Sequence, residues 1–87
     1  MPGSGLADFV ARSGVRAEIL EDLSKGPKTP TELASLHSEH VSHVSRALAE
    51  LRAQGLVEPA GESPHRRPYK ATQRGLELSL TLLHSIK

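Results

Sequence analysis

The sequence predicts a mainly α-helical domain with one small β-hairpin, an α+β class. Three observations carry this. Apolar residues recur at helical spacing in separate runs; glycine, proline or a capping residue marks the breaks between them; and one polar, basic loop is flanked by two short strand-like stretches. The 87 residues leave room for one domain with a modest core, and with 2% aromatic residues that core has to be built from Leu, Val, Ile and Ala.

Residues 1–5, "MPGSG", read as a loose tail, and 6–87 as the single domain. Leu6, Phe9 and Val10 fit a short amphipathic helix, which Ser13-Gly14 interrupts or bends. Val15, Ile19, Leu20 and Leu23 share the face of a second helix that stops at Lys25-Gly26-Pro27, where Gly permits a left-handed cap and Pro cannot continue. In "TPTELASL", Thr29 suits the N-cap, Pro30 the first helical position, and Glu32 completes a capping box, with Leu33, Ala34 and Leu36 available for burial. "HSEH" (37–40) reads as a turn. A longer helix then sets Val41, Val44, Leu48 and Leu51 on one stripe and ends at Gly55. Leu56-Val57 and "PYKAT" make a hairpin around "AGESPHRR", with Tyr69 and Ala71 on one face. Thr72 is placed to cap a last helix rich in leucine.

Two close helices joined by a tight turn, followed by a basic hairpin, form a helix-turn-helix with a wing. On "GPKTPTELA" (Gly26 to Ala34), "VSRALAELRAQGLV" (Val44 to Val57) and "YKATQRG" (Tyr69 to Gly75), the chain resembles the winged helix-turn-helix superfamily, especially the ArsR-like and MarR-like repressors and their small archaeal relatives. The helix-turn-helix falls at about 30–54, the wing at about 56–72 and the C-terminal helix at about 73–86. The resemblance implies double-stranded DNA as partner, a transcriptional role and a homodimer joined through terminal helices. One departure concerns the turn, where these families usually place glycine followed by an apolar residue. Ser38 and Glu39 stand there, and Leu36 takes a place where a polar residue is common.

Formal net charge is only +1, but its distribution is uneven: from Ser63 to Lys87 the sole acid is Glu77, against Arg66, Arg67, Lys70, Arg74 and Lys87. Such a stretch is either a phosphate-binding surface or an ordinary solvated charge run. At about 100° per residue, the longer helix from Val41 sets Ser42, His43 and Arg46 opposite its apolar stripe, in the half that reaches base edges, and arginine can pair with both major-groove acceptors of guanine. These three are the candidate base readers. Arg66, Arg67 and Lys70 on the wing, Lys28, Thr29 and Thr31 at the start of the helix that opens at Pro30, and Ser45 are the candidate backbone contacts. Capping alone is the competing role for Thr29, and a structural bond for Ser45.

The last helix is apolar over a wide arc, Leu76, Leu80 and Leu83 on one side and Leu78, Leu82 and Ile86 on another, so one side is expected to cover the domain and the other a second subunit. Phe9, Leu78, Leu82 and Ile86 are the expected dimer contacts. His37, His40 and His43 invite a metal reading, but His37 and His43 point about 120° apart on a helix and no cysteine assists, so no metal and no cofactor is assigned. There is no catalytic constellation, no evident small-molecule site and no apolar run long enough for a membrane. The absence of Cys leans towards an intracellular protein, and the DNA partner implied by the resemblance makes a cytoplasmic, nucleoid-associated protein the expectation. The expected function is sequence-preferring duplex DNA binding in transcriptional regulation. The alternatives are a protein-interaction winged helix within a larger assembly, or an abundant chromatin-type protein.

Overall fold

A computed structural model describes residues 4–61 and 67–84, and these form five helices and a two-stranded antiparallel sheet. Helix α1 spans Ser4–Ala11, taking in two residues that the sequence reading leaves to the tail. Ser13 ends the ambiguity at the next junction: its side chain accepts from Arg16 N at 3.2 Å and starts a new helix, α2 (Gly14–Lys25). Ile19, Leu20 and Leu23 are buried along it, as their spacing predicts. The backbone at Gly26 is close to extended (φ 157°, ψ 163°) rather than left-handed, and Pro27 follows.

Helix α3 (Pro30–His37) opens with the capping box, Thr29 Oγ1 accepting from Glu32 N at 3.1 Å and Glu32 Oε1 accepting from Thr29 N at 2.8 Å. His37 is helical, so the turn is Ser38–His40. The left-handed residue expected of a glycine is Ser38 (φ 52°, ψ 43°), with Glu39 N donating to Ala34 O at 2.9 Å. A non-glycine residue in this region costs about 1–2 kcal/mol. Glycine would relieve that strain but add unfolded-chain entropy, so Ser38→Gly is expected to raise stability by about 0.5–1 kcal/mol in a thermal melt. A lower midpoint would show that the Ser38 side chain itself holds the turn.

Helix α4 (Val41–Ala53) buries Val44, Ala47, Leu48 and Leu51. The predicted stripe is shifted at its start: Val41, in the first helical position beyond the turn, is 48% exposed, and Ala47 completes the buried face. Leu36 is likewise 58% exposed, because short α3 turns Leu33, Ala34 and His37 inward. Gly55 ends α4 as expected. Its φ of 75° lets its own N–H reach Arg52 O (2.9 Å) and Leu56 N–H reach Leu51 O (3.0 Å), closing the helix with Leu51 and Leu56 both buried.

Strand β1 (Val57–Pro59) pairs with β2 (Tyr69–Ala71) in the register Val57↔Ala71, Glu58↔Lys70, Pro59↔Tyr69. Lys28 adds a short third rung, bonded both ways to the Tyr69 backbone at 3.0 and 2.8 Å, and so ties the start of α3 to the base of the wing. Helix α5 (Gln73–His84) is capped by Thr72, whose Oγ1 accepts from Gly75 N at 3.1 Å and donates to Gly55 O at 2.6 Å.

Among the described side chains of α5, Gly75 and Ser79 are the buried positions and Leu78 packs at the core's edge, while Leu76 (36%) and Leu80 (58%) are exposed. Small residues bring α5 close enough that a Cβ on Gly75 would lie 2.1 Å from Leu56 O. Val10, Ile19, Leu20, Leu33, Val44, Leu48, Leu51, Leu56 and Val57 form the fully buried core, each contributing about 1.5–3 kcal/mol of burial.

Candidate nucleic-acid interface

Helix α4 reaches the surface with one face wholly outside the core. With Val44, Ala47, Leu48 and Leu51 inward, Ser42, Arg46, Ala49 and Ala53 lie directly opposite at about 100° per residue, and all four are exposed. Short side chains at Ala49 and Ala53 leave nothing to hold this face away from a flat or grooved partner. Arg46 stands furthest out, its side chain 83% exposed. His43 sits on the flank towards α2. Its Nδ1 lies 3.3 Å from Glu39 Oε1 and its ring meets His40 edge-on at 5.4 Å. Val41, Ser45 and Arg52 form the other flank, all exposed.

The remaining candidates are placed as follows. Thr29 is committed to capping α3 by its hydroxyl and its N–H, Thr31 is exposed one turn position on, and Lys28 is half-buried with its backbone in the rung to Tyr69. On the wing, Arg67 is exposed, and Lys70 Nζ lies 3.8 Å from Glu58 Oε2, its cross-strand neighbour. Arg66 lies outside the described residues. Phe9 and Leu78 are half-buried against the domain's own core, and among the described side chains of α5 the exposed leucines are Leu76 and Leu80. Ile86 and the side chain of Leu82 lie outside the described residues.

Two carboxylates on this side of the molecule are matched by cations, Glu58 facing Lys70 and Glu50 accepting from the Arg16 guanidinium at 2.9 and 3.0 Å, while Glu39 lies beside the His43 ring. This compensation limits the repulsion a phosphate would meet. Sequence reasoning missed the Arg16–Glu50 pair because the partners are 34 residues apart and no local pattern links them. It also read His37 as part of a polar turn. His37 Nε2 instead bonds Asp22 Oδ2 and its Nδ1 lies 3.5 Å from Glu18 Oε1, which fastens α3 to α2. Among the described residues no three His, Cys, Asp or Glu side chains are grouped to hold a metal ion, and no helix is long and apolar enough to cross a membrane.

A comparison with curated proteins gave no match. Among solved structures, the adhesin competence repressor AdcR of Streptococcus pyogenes superposes with a TM-score of 0.79 at 19% identity, over 90% of this chain and 58% of that one. The transcriptional regulator Tm0710 of Thermotoga maritima gives 0.76 at 22%, over 94% and 59%. MepR, a transcription regulator of the Staphylococcus aureus multidrug efflux pump MepA, gives 0.76 at 17%, over 84% and 56%. The likeness is one of fold, that of the winged helix, and this chain spans less than two thirds of the length of each of these regulators. Residues 13–59, more than half of the sequence and the stretch from the start of α2 through β1, match the model of the bacterial regulatory protein arsR family. With that match running through a helix-turn-helix and into its wing, the chain belongs to the arsR family of bacterial regulatory proteins.

Proposed function

We propose that the protein is a transcriptional regulator that binds duplex DNA inside the cell, with α4 in the major groove and the β1–β2 wing on the backbone or in the minor groove. The observation that carries the reading is the outer face of α4: Ser42 and Arg46 project beside the small Ala49 and Ala53, and a hairpin with exposed Arg67 follows in the same fold. Ser42 and Arg46, with His43 on the flank, face base edges. Val41 offers an apolar contact suited to a thymine methyl group. Lys28, Thr31 and Ser45, the Thr29 capping turn, and Arg66, Arg67 and Lys70 contact phosphate or the minor groove. A second copy docks on Leu76 and Leu80 of α5, and two-fold symmetry makes the site an inverted repeat.

The test is a pair of variants on duplexes selected from a random pool. Arg46→Ala is expected to lose sequence preference by about 1–3 kcal/mol at one base position, while binding to unrelated DNA changes little. Arg66→Ala combined with Arg67→Ala is expected to weaken all duplexes alike and to flatten the salt dependence by about two phosphate contacts. An unchanged preference in the first variant removes Arg46 as a base reader. Parent-like affinity in the second removes the hairpin as a DNA wing.

A further inference from the structure

We infer that Arg16, on α2, is a positioning residue that keeps Arg46 available for a base by holding Glu50 back from a closer contact with it. This inference rests on the base-reading role of Arg46 proposed above. Glu50 sits four residues after Arg46 on the same helix, the spacing at which a carboxylate and a guanidinium pair readily. Arg46 Nε and Glu50 Oε2 form only a long ion pair, at 3.7 Å, and Arg46 remains 83% exposed. The other oxygen, Oε1, accepts both Arg16 Nε at 3.0 Å and Arg16 Nη2 at 2.9 Å, a charge-assisted two-donor contact. Arg16 is the better-placed competitor because it is already held: its Nη1 donates to Phe9 O at 2.7 Å, its guanidinium lies 4.0 Å over the Phe9 ring, and its side chain is only 20% exposed. Little further ordering is therefore needed for Arg16 to keep Glu50, whereas long, solvated Arg46 would have to be immobilised to take it.

Two consequences follow for DNA. The Glu50 charge is offset by a cation that does not enter the groove, and Arg46 keeps its fork for the two acceptors of guanine. If Arg16 lost its hold, Glu50 would close further on Arg46, and the reader would have to break a tighter intrahelical ion pair before meeting a base. Because Arg16 is anchored on α1, the state of the N-terminal helix bears on how freely the reading arginine moves.

The experiment is a double-mutant cycle read by discrimination, the ratio of affinities for the selected duplex and for one altered at the base Arg46 specifies. Arg16→Met keeps the aliphatic stem against Phe9 and removes the charge. It is expected to lower discrimination several-fold, towards that of Arg46→Ala, with far-ultraviolet circular dichroism unchanged. Adding Glu50→Gln is expected to restore discrimination to within about twofold of the parent, as coupled neighbours require. Adding Arg16→Met to Arg46→Ala is expected to change nothing more. A loss that Glu50→Gln does not restore assigns Arg16 a merely structural role and overturns the inference. So does parent-like discrimination in Arg16→Met when Arg46→Ala loses it; in that case the base-reading role stands. If Arg46→Ala itself keeps the parent's discrimination, the base-reading role falls first and the inference falls with it.

Discussion

Gly75→Ala is expected to destabilise the domain by about 3 kcal/mol or more, against a total of roughly 5–10 kcal/mol for a chain of this size. The added Cβ would lie 2.1 Å from Leu56 O, 3.1 Å from Leu56 C and 3.2 Å from Leu20 Cδ1. The obstructing oxygen is backbone, and it accepts Thr72 N at 3.0 Å, so it cannot swing aside as a side-chain tip would. Relief requires α5 to lift off the end of β1, which loosens the Thr72 cap and opens the packing of Leu20 and Leu56. The sign makes the test sharp. On an open helix, alanine in place of glycine stabilises by about 1 kcal/mol. Thermal unfolding of the variant is expected to move down by roughly 12–24 °C at about 4–8 °C per kcal/mol. A midpoint at or above the parent's would mean that α5 does not approach Leu56 this closely.

Leu80→Glu is expected to leave the fold intact and to abolish the proposed dimer. Leu80 is 58% exposed and borders a groove of about 350 Å³ with Leu76, Ser24, Gln73, Glu77 and Ser79. A surface position of this kind changes monomer stability by about 0.5 kcal/mol or less. A second copy on the same groove would bury both leucines, and a carboxylate placed there would be desolvated without a partner. Joining two half-site readers raises affinity by about 10²–10⁴ over one, so a loss of that order on an inverted repeat is the expected reading. Sedimentation checks the first half directly. A parent protein that sediments as a monomer at micromolar concentration, or a Leu80→Glu variant that remains dimeric, places the contact elsewhere.

The parts of this fold that could be read from sequence are those fixed by neighbours along the chain. Thr29, Pro30 and Glu32 announce the start of α3, Gly55 the end of α4, and Thr72 the start of α5, each within one helical turn of its effect. The α4 stripe was legible for Val44, Leu48 and Leu51, where the helix lies along α2 and α3, but not for Val41, whose burial depends on how far the preceding helix reaches. The orientation of α5 was not legible. Leucine periodicity offered two apolar sides, whereas the close approach of the helix is set by the backbone carbonyl of Leu56, just before β1, which leaves no room for a Cβ at Gly75. The same distance in sequence hid the Lys28 rung to Tyr69, the His37 contacts on α2 and the Arg16–Glu50 pair. Of the candidate interface, the exposed face of α4 could be anticipated from periodicity, while the ion pairs that govern its charges could not.

The central claim is that this surface binds duplex DNA through its charge as well as its shape. A titration with mixed-sequence duplex over several salt concentrations tests it most directly. With Lys28, Arg66, Arg67 and Lys70 on phosphates, log affinity is expected to fall with log salt at a slope of about −3 to −4 per protomer. Failure to retain duplex at low salt, or an affinity that does not change with salt, would contradict the account.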